Sequence, residues 1–226
     1  MTDHPVHRIT LPSLFRDAWQ LISNQYGLFL VLIFALILVA ALSPLGVFLG
    51  PILGLIFASL KEKKNDGRIR LANVPKWLAS AVDGLLAYMM QLASCFLFLA
   101  PSTLLLYYLG SNWQAITANL SVPGTALIAT GLAVAPTITT IQITLCLPFL
   151  FTYCELAQGS NHAVDAIKKS IQITTQNPTV VFKVAATLLL IHLVATACLI
   201  LPAILFLPLH FSVIYELHQK LRKQSE

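Results

Sequence analysis

The sequence predicts an all-α fold, a polytopic transmembrane bundle of about six helices, and three observations predict it. Only 10% of the 226 residues are charged and 57% are hydrophobic, whereas a soluble domain is about 25% charged. Residues 18–60, 84–154 and 184–215 contain no Asp, Glu, Lys or Arg. Each of these blocks exceeds the ~20 apolar residues that one spanning helix needs. Finally, the connections divided off by a six-helix count are either basic or free of charge.

The chain begins with an amphipathic segment, 11–26. Leu11, Leu14, Phe15, Ala18, Trp19, Ile22 and Tyr26 fall at helical spacing on one face, with Ser13, Arg16, Asp17, Gln20 and Asn24 opposite. Such a helix suits a membrane interface, with Trp19 and Tyr26 at headgroup depth. No small-residue cleavage site follows it, so it is expected to be retained rather than removed as a signal peptide.

Block one, Gly27 to Leu60, would be about 51 Å long as a single helix, against about 30 Å of bilayer core. Ser43-Pro44-Leu45-Gly46 supplies turn chemistry, which predicts a hairpin over 27–62 with arms near 27–42 and 45–62. The arms are short enough for either full crossing or re-entry. Gly46, Gly50 and Gly54 form a glycine strip along the second arm, where another backbone can approach, within the chain or between chains.

A second amphipathic segment, 73–82, precedes two spans near 83–109 and 124–154. Proline removes a backbone donor, so Pro136 and Pro148 predict kinks in the later span. A third amphipathic segment, 162–176, sets Val164, Ile167 and Ile171 against Asp165, Lys168, Lys169 and Gln172. It leads into a last hairpin over 179–220, with arms near 179–200 and 203–220, Pro202 at the turn and Pro208 in the second arm. The chain is thus one membrane domain, 1–226.

Charge fixes the orientation. Arg8 and Arg16, the run from Lys61 to Arg70 with Lys76, the pair Lys168 and Lys169, and the tail from Lys220 to Lys223 fall on one side of the six-helix count. The connections around 43–45, 110–123 and 201–202 carry no charge. The positive-inside rule then places both termini in the cytoplasm. Lys61, Lys63, Lys64, Arg68 and Arg70 are candidate contacts for anionic lipid, since a basic residue beside a membrane contributes about 1 kcal/mol. The same residues are also what positive-inside orientation requires. The net charge of +5 does not point to nucleic acid, because no basic-aromatic platform accompanies it.

The N-terminal segment aligns without gaps on the fourth connection at a shift of 152 positions, pairing Arg16 with Lys168, Gln20 with Gln172 and Leu21 with Ile173. Either a parallel internal repeat or shared composition accounts for it.

Ionisable and polar groups inside the apolar blocks are candidates for function. They are His192, Gln91 and Gln142; the alternative is that each satisfies a neighbouring backbone or hydroxyl group. Asp83, Glu155 and Lys183 mark the cytoplasmic ends of spans. Cys95, Cys146, Cys154 and Cys198 form no CxxC pair and read as small buried residues. No catalytic motif, metal-ligand spacing or phosphate-binding glycine loop is present, so no enzyme activity, metal or cofactor is expected.

Leu147-Pro148-Phe149-Leu150, then Ala163-Val164-Asp165-Ala166-Ile167-Lys168-Lys169-Ser170, Asn177-Pro178, and finally Leu207-Pro208 with Tyr215 make a pattern extending over most of the chain. It resembles a group of uncharacterised bacterial inner-membrane proteins similar to the membrane domain of some glycerophosphoryl diester phosphodiesterases. The resemblance implies a bacterial inner-membrane location. The chain has no phosphodiesterase domain, so that activity does not carry over.

The sequence therefore predicts a non-enzymatic scaffold or accessory subunit that engages membrane lipids and a protein partner or second copy of itself, but no nucleic acid. The alternative is a small transporter or channel for an apolar or amphipathic solute.

Overall fold

The computed structural model describes residues 9–41, 48–78, 81–94, 147–160, 162–198 and 200–225. Most of these are helical, and no strand occurs among them. The chain divides into two compact units, one of residues 1–89 and 147–226 and one of residues 90–146.

In the first unit, α1 is Leu11–Ile22. Pro12 sits in its first turn, where a missing N–H costs nothing, and Ser13 Oγ donates to the Thr10 carbonyl at 2.9 Å. A 3₁₀ turn, Ser23–Gln25, carries the chain directly into α2, Tyr26–Ala41. Leu11–Ala35 is the one helical run among the described residues that is long and apolar enough to cross a membrane; Pro178–His192 is a shorter apolar helix.

Helix α3, Leu49–Asp66, stops at Gly67. The left-handed conformation there (φ 72) costs glycine little, and its N–H closes on the Lys63 carbonyl at 3.0 Å. A 3₁₀ turn, Leu71–Asn73, leads to the short α4, Val74–Trp77. Helix α5 covers 81–94; its residues 90–94 belong to the second unit.

After a 3₁₀ turn at Leu147–Phe149, α6 runs over Thr152–Gln158. Pro148 thus lies in a turn followed by a fresh helix. Gly159 (φ 100) ends α6 in the left-handed region. Helix α7 is Ala163–Gln176. The carboxylate of Asp83, from α5, accepts the Ala163 N–H at 3.2 Å, satisfying a donor that a helix start leaves open. Helix α8, Pro178–Cys198, opens on proline, and α9, Ile200–Ser225, has Pro202 in its first turn and Pro208 inside. The expected turn at 43–45 and most of the expected spans 83–109 and 124–154 lie outside the described residues.

Helix α9 is the spine of the first unit: α1, α2, α3, α7 and α8 all pack on it. Asp17 of α1 meets Lys220 and Tyr26 of α2 meets the Leu205 carbonyl, so the α1–α2 run lies antiparallel to α9. Leu14, Ala18 and Ile22 of α1, Leu60 of α3, and Tyr215, Leu217 and Leu221 of α9 are almost fully buried. The face of α1 that suits an interface is therefore taken up by α9, while Trp19 stays half exposed at 49%.

Burial is distributed unevenly. Polar and charged side chains, including Lys63, Glu155, Ser170, Glu216 and His218, are buried in a lobe built from α1, the end of α3, α6, α7 and the second half of α9. Elsewhere large apolar side chains face outward: Val31, Phe34 and Leu38 on α2, Val82 and Leu86 on α5, and Leu190 and Val194 on α8.

Candidate functional site

The densest set of buried polar groups centres on Glu155, in the first turn of α6. Its side chain is 2% exposed and that of His218 on α9 is 0% exposed. His218 Nε2 lies 2.6 Å from Glu155 Oε1. A carboxylate only accepts, so Nε2 carries the hydrogen in this pair. The other carboxylate oxygen accepts from Ser160 Oγ at 3.4 Å and lies 4.0 Å from Lys169 Nζ. The Phe151 ring packs 5.5 Å from the imidazole, and Tyr215 OH accepts from Gln158 Nε2 at 3.4 Å. Cys154 beside it is a free, buried thiol.

The site is placed by the turn before α6. Phe151 N–H donates to Ser170 Oγ at 3.1 Å, and that hydroxyl donates to the Pro148 carbonyl at 2.6 Å. Thr174 Oγ1 reaches the Leu147 carbonyl at 3.4 Å. Proline and the 3₁₀ turn leave backbone groups without helical partners, and buried backbone groups need partners. The face of α7 that turns inward is consequently Ala163, Ala166, Ile167, Ser170, Ile173 and Thr174, while Val164 and Ile171 remain exposed. Two hydroxyls outweigh two aliphatic side chains in setting the helix's rotation.

Burial alone would raise the Glu155 carboxyl. The hydrogen bond from His218 outweighs it, together with positive charge from His218, Arg222 and Lys169, and holds the group below its ordinary value. A carboxylate depressed in the folded state stabilises the fold above the unfolded value, and that contribution is lost as pH falls through the folded one. Thermal melting followed by circular dichroism should therefore show a falling midpoint below about pH 4.3. In Glu155→Gln the slope of midpoint against pH should flatten; an unchanged slope would mean that other carboxylates govern acid stability.

The basic run 61–70 is engaged by other groups of the protein at three of its five candidate positions. Lys61 Nζ donates to the Ala157 carbonyl at 2.9 Å. Lys63 is buried, donating to Gln25 Oε1 at 2.9 Å and the Gly67 carbonyl at 2.6 Å, and burial lowers its ammonium below the usual lysine value. Lys64 pairs with Glu216 at 2.5 Å. Arg68 and Arg70 are exposed. Gln25 also accepts from Ile69 N–H at 2.8 Å, and Glu62 accepts from Arg70 N–H at 3.0 Å, so the loop after α3 is pinned by both.

Of the glycine strip, Gly50 packs against Gly84 of α5: a Cβ at Gly50 would overlap the Gly84 carbonyl. A Cβ at Gly54 would meet nothing within 4 Å. Gly46 and Gln142 lie outside the described residues, and Gln91 is half-buried on α5. His192 has its ring 5.0 Å from that of His210 and 5.8 Å from Phe206. Sequence reading singled out His192 without His210, and used Glu155 only as a span marker, without His218. Nothing in the spacing of His210 or His218 points to either partner.

Comparisons with protein-family models, with curated proteins and with solved structures find no match to this chain.

Proposed function

We propose that this chain is an integral membrane protein of about six membrane helices, with a folded cytoplasmic lobe, acting as a non-enzymatic scaffold or accessory subunit. The observation that carries the membrane reading is the segregation of surface. Val31, Phe34 and Leu190 are 66%, 55% and 63% exposed, on helices nearly devoid of charge, whereas the buried charged residues gather in the lobe. Outward apolar faces of this kind are what hydrocarbon, rather than water, accommodates. The basic residues of the lobe support a cytoplasmic placement of both termini. An inner-membrane location rests on the resemblance of the sequence pattern.

The lobe supports a structural role. Glu155 and His218 have the composition of an acid–base pair, but Phe151 and neighbouring packing seal the imidazole from solvent, and the carboxylate is engaged by three side chains. Catalytic pairs must reach a substrate proton. One observation favours the alternative of a route for an apolar or amphipathic solute: the His192–His210 ring pair between α8 and α9.

Two measurements test this. The protein should stay in the membrane pellet after an alkaline carbonate wash; release into the supernatant would sink the integral reading. Mass spectrometry after gentle detergent extraction should show a stoichiometric protein partner. Solute flux through reconstituted vesicles, abolished by His210→Ala with no partner present, would instead establish transport.

A further inference from the structure

Three segments of the chain carry the pattern of an interfacial helix, and the fold leaves them in different states. The apolar face of α1 is covered by α9. Helix α7 exposes Val164 and Ile171, but its exposed Lys168 has the exposed Asp165 on the same helix, and Lys169 leans on Ser160 and Glu155. The segment 68–82 differs. Arg68, Arg70 and Lys76 are exposed and enter no ion pair among the described residues. Leu71, Leu78 and Val82 are 53%, 46% and 77% exposed alongside them. The segment is also held in shape. Ile69 is buried, with its N–H on Gln25 Oε1 at 2.8 Å. The backbone at Arg70 is extended (φ −118, ψ 112), and successive side chains of an extended chain point to opposite sides. With Ile69 turned inward, Arg68 and Arg70 both turn outward. Glu62 is occupied by the Arg70 N–H and by Asn73 Nδ2 at 2.9 Å, and Asp83 by the Ala163 N–H. Asp66 is the exposed acid next to the segment, set against three exposed cations.

We propose that the segment 68–82 docks on an anionic phospholipid bilayer, with Arg68, Arg70 and Lys76 on headgroup phosphates and Leu71, Leu78 and Val82 in the acyl boundary. Phosphate oxygens accept charge-assisted hydrogen bonds, and the guanidinium fork can offer two at once. A bilayer interface takes exposed cations and exposed aliphatic side chains on one surface. Val82 is also followed at helical spacing by the outward-facing Leu86 and Met89 of α5, so the surface runs on into an apolar face suited to hydrocarbon. The proposal rests on the integral membrane reading and narrows its lipid contact. Lys61, Lys63 and Lys64, engaged within the protein, drop out of that contact, and Lys76 with three aliphatic neighbours joins it.

The test titrates phosphatidylglycerol and phosphatidylcholine into the full chain in mild detergent and reads bound lipid by native mass spectrometry. Wild type should bind phosphatidylglycerol the more tightly, and the preference should shrink at high salt. Arg68→Ala, Arg70→Ala and Lys76→Ala should each weaken phosphatidylglycerol binding about fivefold, and the three together should abolish the preference. Lys168→Ala, at an exposed position of α7, is the control for diffuse surface charge and should have little effect. All four positions are exposed, and melting curves report whether each variant folds. Equal affinity of wild type for the two lipids overturns the proposal, as does equal weakening by Lys168→Ala and the platform variants. An acidic protein that co-purifies with wild type and is lost from the triple variant, with no lipid preference in the purified chain, overturns it in favour of a protein partner. The alkaline carbonate wash decides the integral reading separately, so retention in the membrane without a lipid preference sinks the docking surface alone.

Discussion

Replacing His218 with alanine is expected to destabilise the protein by about 3 kcal/mol, the cost of leaving a buried carboxylate without its hydrogen-bond donor. Glu155 would keep a carboxylate that is 2% exposed and lose its 2.6 Å donor. The truncation would also open a void beside Phe151. Glu155→Ala should cost a similar amount, because the imidazole would then lack its acceptor. The double variant Glu155→Met, His218→Leu should recover much of the loss, since apolar residues of matched volume commonly replace a buried pair without penalty. A double-mutant cycle by thermal or denaturant melting reads the coupling directly. If His218→Ala melts within about 1 kcal/mol of wild type, water must reach Glu155 and the sealed centre is wrong.

Gly50→Ala should be as damaging, at about 3 kcal/mol, because the added methyl overlaps backbone rather than a movable side chain. The Gly84 carbonyl stands in its place, and Tyr88 Cβ is 2.6 Å from it. Relief requires α3 and α5 to separate. Gly84→Ala should be milder, since its added Cβ would come no closer than 3.0 Å to Gly50. Gly54→Ala should be neutral or stabilising by up to ~1 kcal/mol, because alanine is the better helix former and nothing lies within 4 Å of its new methyl. Melting midpoints of the three variants check the order. Equal effects at 50 and 54 would mean that the α3–α5 contact does not form.

What could be read in the sequence was what periodicity and charge encode. The amphipathic segments 11–26 and 162–176 contain α1 and α7, and the apolar run after Asn177-Pro178 becomes α8, whereas Pro202, expected at a turn, lies in the first turn of α9. Non-local pairing left no such trace. The glycine strip identifies an approach surface, but nothing in the spacing selects Gly84 as its partner. Glu155 and His218 are 63 positions apart, and neither residue type announces the other. The apolar stripe Val164, Ile167 and Ile171 is visible in the sequence, but the inward turn of Ser170 and Thr174 onto the Leu147–Phe151 turn is not. The basic run 61–70 shows its charge in sequence but not the carbonyls and carboxylates that take up Lys61, Lys63 and Lys64.

The packing of α1 on α9 also constrains how the protein is made. Asp17 and Lys220 are 203 positions apart, and translation proceeds at ~5–20 residues per second. For roughly ten seconds or more at that rate, Leu14, Ala18 and Ile22 emerge with no α9 to receive them. Closure of so long a loop is slow compared with local helix formation. During that interval the apolar face of the nascent α1 has no α9 to cover it. The burial of the first helix is thus completed only when the helix nearly two hundred residues later arrives.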